Sequence, residues 1–154
     1  MAGLSEVEFH TGVADPVAYA CRLLRKAVRR GARVLVTAPG ATLAALDRGL
    51  WTFEEREFLP HVRVPGASAA VAARTPIWLA AAAAAALPAG AEAPRVVVNV
   101  GAEIDAASAQ ATAERLIEIV GAEPDEVAAG RERWRAYKAA GLAITHHPQA
   151  SGHE

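Results

Sequence analysis

The stretch Glu6 to Thr37, EVEFHTGVADPVAYACRLLRKAVRRGARVLVT, decides the fold class. Its first residues, Glu6 to Thr11, alternate polar and apolar side chains, the period of a half-buried strand. Asp15-Pro16 then opens a helix: Asp15 caps the first turn, and Pro16 stands where its missing N–H costs nothing. Val17, Ala20, Cys21, Leu24, Ala27 and Val28 form an apolar stripe on that helix. The basic residues Arg22, Arg25, Lys26, Arg29 and Arg30 lie mostly off it or near the C-terminal end, where they complement the helix dipole. Gly31 supplies a left-handed cap. Arg33 to Thr37 is a continuous apolar strand of the kind buried on both faces. Strand, helix and strand in so short a span make a βαβ unit with a right-handed crossover, and hence a sheet that is largely parallel or mixed and flanked by helices.

The rest of the chain extends this pattern. A second helix is expected from Pro39-Gly40 to about Leu50, then an acidic stretch, Glu54 to Glu57, and a short extended piece ending at Val64. Thr75 to Leu79 and Arg95 to Val100 read as strands, the latter the clearest interior one, with an alanine-rich stretch over 80–93 between them that fits helix and loop equally. Ser108 to Val120 carries Ala109, Ala113, Leu116, Ile117 and Val120 at helical spacing and predicts an amphipathic helix. Pro124-Asp125 starts a last helix that Gly141 closes, and Leu142 to Thr145 adds a short strand. The expectation is one α/β domain over residues 1–145, with a polar, flexible tail over 146–154.

Composition sets limits on function. The chain has 154 residues, a net charge of −1 and a pI near 6.5, which exclude a domain that coats nucleic acid by bulk charge. Roughly a quarter of the residues are alanine, so much of the 53% apolar content is small side chains. A single cysteine excludes a disulfide framework and a multi-Cys zinc site. No signal peptide is visible, and the longest apolar run, Ile77 to Leu87, is too short for a membrane span, which needs about 20 residues. A soluble, cytoplasmic protein is expected.

Catalytic patterns are missing. The two lysines, Lys26 and Lys138, lie outside any G-x-x-x-x-G-K-[ST] context, and the loop Thr37-Ala38-Pro39-Gly40 holds one glycine where a dinucleotide fingerprint needs three. The arrangement is therefore Rossmann-like without a nucleotide-binding loop. None of the four serines stands in a G-x-S-x-G elbow. His146-His147 has no metal-ligand spacing and reads as an exposed tail pair. Cys21 falls on the inward stripe and reads as an inert core thiol, while Glu54, Glu55 and Glu57 read as a solvated acidic face. No enzymatic activity, cofactor or metal is expected. The competing reading is a small nucleic-acid-binding or diverged nucleotide-binding α/β protein.

Two constellations stand out. On the last helix Arg131, Trp134, Arg135 and Lys138 share one face at spacings of three, four and seven. Such a face is a solvated basic helix, a platform for an acidic peptide with a hydrophobic anchor, or a stacking surface for single-stranded nucleic acid. Counting Arg131, Arg133, Arg135 and Lys138 against Glu132 gives this helix end a net charge of +3. That local spot suits a short acidic segment better than a long phosphate backbone, so no strong direct DNA binding is expected. The second constellation places Trp51 and Phe58 on either side of the acidic segment, as core aromatics or as a docking patch.

The pentad D-R-G-L-W at Asp47 to Trp51, followed after six residues by F-L-P-H at Phe58 to His61, resembles the chi subunit of bacterial DNA polymerase III holoenzyme. So does R-E-R-W-R-A-Y-K-A-A-G at Arg131 to Gly141, as does the opening order of a V-x-F strand, a helix and a G-x-R-V-L-V strand. The resemblance runs to about Thr145. It implies an α/β, non-catalytic accessory subunit of the clamp-loader assembly that pairs with a psi-type subunit and binds the acidic C-terminal tail of single-stranded-DNA-binding protein, which ends in a hydrophobic residue. It further implies tail-binding roles for Val120, Arg131, Trp134 and Arg135, with Trp134 in place of a tyrosine and Arg135 in place of a lysine; Lys138 is added from the shared helix face. Trp51, Phe58 and Pro60 fall on the surface used for psi or a competing repair helicase. Val127 stands where well-known members carry a lysine, which removes one cation.

Overall fold

The computed structural model describes residues 3–52, 59–82 and 88–149. The opening βαβ unit forms as its sequence dictates. Strand β1 (Glu6–Val13) leads to helix α1 (Pro16–Arg29), whose first turn is capped by the Asp15 carboxylate accepting from the Ala18 N–H at 3.1 Å. Gly31 follows with φ +81°, and strand β2 (Val34–Thr37) is buried along its whole length. Then come α2 (Gly40–Thr52), β3 (His61–Arg63), α3 (Ala69–Ala73), β4 (Ile77–Ala80), β5 (Val96–Asn99), α4 (Ala106–Thr112), β6 (Arg115–Gly121), α5 (Pro124–Ala139) and β7 (Ala143–Pro148). The acidic stretch, Phe58 and much of the alanine-rich run lie outside the described residues.

The seven strands form one sheet in the order β3-β4-β2-β5-β6-β1-β7, and every pairing is parallel. Its two faces carry separate cores. On one, Val34, Val36, Val98, Ile117 and Ile119 meet Ala20, Cys21 and Leu24 of α1 and Leu43, Leu46 and Leu50 of α2. On the other, Phe9, Leu35, Trp78, Val97 and Leu116 meet Ala72 of α3, Ala109 of α4 and Tyr137 of α5. Burial on both faces explains why the central strands read as unbroken apolar runs.

Two sequence expectations are corrected. Ser108 to Val120 is not one helix: α4 ends at Thr112, Ala113 is extended, and Arg115 begins β6. Helical spacing in that stretch is coincidental, because Leu116-Ile117-Glu118-Ile119-Val120 is rich in β-branched residues and buried on both faces between β5 and β1. Nor does the polar tail begin at His146. His146, His147 and Pro148 extend β7 in register with Phe9, His10 and Thr11 of β1.

Candidate functional site

Helix α5 packs over β6, β1 and β7. Close approach is possible because residue 130 lacks a side chain: a Cβ there would stand 2.8 Å from Val120 Cγ1. Two inward residues one turn apart then anchor the helix. Arg133 Nε donates to Glu118 Oε1 at 3.0 Å and the Tyr137 hydroxyl donates to Glu118 Oε2 at 2.7 Å. Glu118 is fully buried and also accepts from Asn99 Nδ2 at 3.0 Å; Asn99 Oδ1 in turn accepts from the Thr37 hydroxyl at 2.7 Å. Thr37, Asn99 and Glu118 are register partners on three adjacent strands, so the network crosses the sheet in one row. Burial pushes the Glu118 carboxyl above its ordinary range, against the pull of the Arg133 charge and of the bonds from Tyr137 and Asn99. Burial and the adjacent Glu118 charge push the Tyr137 phenol upward as well.

With Arg133 and Tyr137 turned inward, the next positions on the helix face outward over the edge of the sheet. They border a pocket of about 450 Å³ lined by Phe9, Thr11, Gly12, Val120, Val127, Gly130, Arg131, Trp134, Arg135 and His146. Trp134 is its central feature. Half-buried, its ring lies 5.0 Å from Phe9 and 5.2 Å, edge-on, from His146, so one part packs on the sheet while another faces the pocket. Arg135 is 69% exposed and bonds Glu132 at 2.7 Å. Arg131 is exposed and makes no hydrogen bond or ion pair among the described residues. The result is an apolar hollow with guanidinium groups on one wall, suited to an apolar side chain that carries a carboxylate.

The structure thus brings Val120, Arg131, Trp134 and Arg135 together, whereas Lys138 is exposed one turn beyond and does not line the pocket. The net charge of +3 read from the helix overstates what solvent meets: Arg133 is buried against Glu118, and the three exposed cations less Glu132 leave +2. Phe9, Gly130 and His146 are pocket residues that sequence spacing missed. A glycine inside an otherwise good helix was the one local signal for Gly130. Val127 lines the pocket, making that wall apolar where a lysine would have put a charge.

A second surface lies at the opposite edge of the sheet, beside β3. Trp51, at the end of α2, is 62% exposed, which excludes the core reading. Its ring stands 5.5 Å from that of His61 at 72°. His61 Nε2 is 2.8 Å from Asp47 Oδ1, and His61 Nδ1 is 2.7 Å from the Leu59 carbonyl. The ends of the two motifs, Asp47 to Trp51 and Phe58 to His61, therefore meet, with Pro60 partly buried alongside and Phe58 outside the described residues.

No described helix is long and apolar enough to cross a membrane. No curated protein matches the chain. A family model described as DNA polymerase III chi subunit, HolC, matches residues 4–145, the span that holds both surfaces except for His146 of the pocket. With that match running from the first strand into the last, the chain belongs to the family of the DNA polymerase III chi subunit.

Proposed function

We propose that this chain is a non-catalytic accessory subunit of the polymerase III clamp-loader assembly that grips the acidic C-terminal tail of single-stranded-DNA-binding protein in the Trp134 pocket. One observation carries the reading: an apolar hollow formed by Phe9, Val120 and Trp134 has on its wall an arginine, Arg131, that makes no ion pair among the described residues. The terminal hydrophobic side chain of the tail enters beside Trp134, its carboxylate meets Arg131, and Arg135 faces the preceding acidic residues. Lys138 contributes at long range, through the salt dependence of association. At the other edge, Trp51 and Pro60 form the surface for a psi-type subunit or a competing helicase, to which the family resemblance adds Phe58. The two surfaces lie at opposite edges of the seven-stranded sheet, so the two partners dock on different surfaces.

Fluorescence anisotropy with a labelled acidic tail peptide and a labelled oligo-dT tests this reading. A charged hydrogen bond is worth roughly 1.5–3 kcal/mol, so Arg131→Ala weakens peptide binding about tenfold or more. Tight binding of the oligonucleotide without the peptide, or an Arg131→Ala variant that binds peptide as well as the parent, refutes it. For the second surface, Trp51→Ala weakens retention of a psi-type partner in a pull-down.

A further inference from the structure

Glu8, His10 and His147 converge on the face of β1 and β7 that looks toward α1, away from the Trp134 pocket. His10 and His147 are register partners with stacked rings 4.8 Å apart, and Glu8 lies two residues along β1 on the same side. Both imidazoles present Nε2 to the same carboxylate oxygen, Glu8 Oε1, at 3.5 Å from His10 and 3.9 Å from His147. These are poor hydrogen-bond distances. They leave room for a shared cation: the three ligand atoms lie within 4.8 Å of one another, and a small closure brings them to the roughly 3.3–3.5 Å at which donor atoms stand in tetrahedral zinc, with ligands at about 2.0–2.1 Å.

The surroundings of the three groups fix which atoms remain available. The other oxygen of Glu8, Oε2, is held by Arg115 through Nε at 2.9 Å and Nη2 at 2.8 Å, leaving Oε1 directed at the imidazoles. The far nitrogen of His10, Nδ1, is hydrogen-bonded to the Tyr19 hydroxyl of α1. A ligating histidine is ordinarily oriented through its second nitrogen in this way. His147 is the exposed member, giving an ion access from solvent.

From this geometry we infer that Glu8, His10 and His147 form a binding site for a divalent cation of the zinc class. Two imidazoles and one carboxylate favour zinc over the hard cations magnesium and calcium, and three protein ligands leave one position for water. Bound there, the ion clips the edge strand β7 to β1. The site is separate from the peptide pocket: adjacent residues His146 and His147 point to opposite faces, one toward Trp134 and the other toward His10.

Calorimetric titration of the untagged full chain with zinc chloride tests the inference, with thermal melts of each variant to report folding. One zinc per chain is expected, together with a melting temperature that rises with zinc. His147→Ala and Glu8→Gln abolish both responses, whereas His146→Ala on the opposite face keeps them. His147 is exposed, so its removal spares the fold and the comparison stays interpretable. A flat titration of the parent chain overturns the inference, as does a His147→Ala variant that binds zinc like the parent or a His146→Ala variant that loses it.

Discussion

Replacing Glu118 by glutamine isolates the charge at the centre of the network beneath α5. The amide keeps the volume of the carboxyl group and one strong acceptor. Its NH₂ can donate to the Tyr137 oxygen, and its carbonyl can accept from Arg133 and Asn99. What is lost is the negative charge opposite Arg133, whose side chain is only 9% exposed. Removing one member of a buried ion pair costs about 3–5 kcal/mol, because the partner charge is left in a poorly polarisable setting. Arg133 keeps a little contact with solvent, which places the expected loss at about 3 kcal/mol. At this chain length each kcal/mol lowers the melting temperature by about 2–4 °C, so Glu118→Gln should melt about 6–12 °C below the parent. Urea denaturation should show a lower midpoint with an unchanged slope. The double variant Glu118→Leu with Arg133→Met removes both charges and should recover part of the loss, since an apolar replacement of a buried pair is often neutral whereas the Tyr137 hydroxyl loses its buried acceptor. A Glu118→Gln variant within about 1 kcal/mol of the parent, or a double variant no more stable than the single one, would refute the reasoning.

Other perturbations probe other parts of the structure. Gly130→Val directs a side chain into Val120, already 2.8 Å from a Cβ at that position; overpacking of about 1–3 kcal/mol and a marked loss of peptide affinity are expected by denaturation and anisotropy. Trp51→Ala should change stability by less than about 0.5 kcal/mol, because the ring is mostly in solvent, and a larger loss by calorimetry would restore it to the core. Burial pushes the Cys21 thiol up to about 11, so a thiol reagent at mildly alkaline pH should label the chain only after unfolding.

The fold was legible wherever a local rule and the tertiary environment agreed. Asp15, Pro16 and Gly31 mark the ends of α1 by their own backbone chemistry, and Gly141, with φ +88°, does the same beyond α5. Val34 to Thr37 and Val96 to Asn99 announce burial on both faces by composition. The error over 108–120 has a physical source. A strand buried on both sides has no alternation to display, and the four alanines and serine of α4 carry little signal of their own. The consequence reached the chemistry: the helical reading gave Glu118 no role, whereas in β6 it is buried and accepts from Arg133 and Tyr137 of α5.

Half of the candidate site was equally visible. Arg131, Trp134 and Arg135 lie on one helix and declare a shared face through spacing alone. Their counterparts do not: Phe9 and His146 come from β1 and β7, and only the β1–β7 register brings them together opposite Trp134. The zinc-class site is hidden for the same reason, His147 being separated from Glu8 and His10 by most of the chain until the last strand pairs with the first. Helix α5 explains why the pocket has a definite shape. Arg133 and Tyr137 tie its inner face to Glu118, so Arg131, Trp134 and Arg135 project from a helix that cannot readily rotate or slide on β6. Weakening the inner anchor should therefore weaken peptide binding at residues that themselves remain unchanged. Glu118→Gln offers that test: measured well below its melting transition, it should bind the acidic peptide less tightly than the parent although no pocket side chain is altered. Equal affinity would show that packing around Gly130 and Phe9 holds α5 in place without the buried charge.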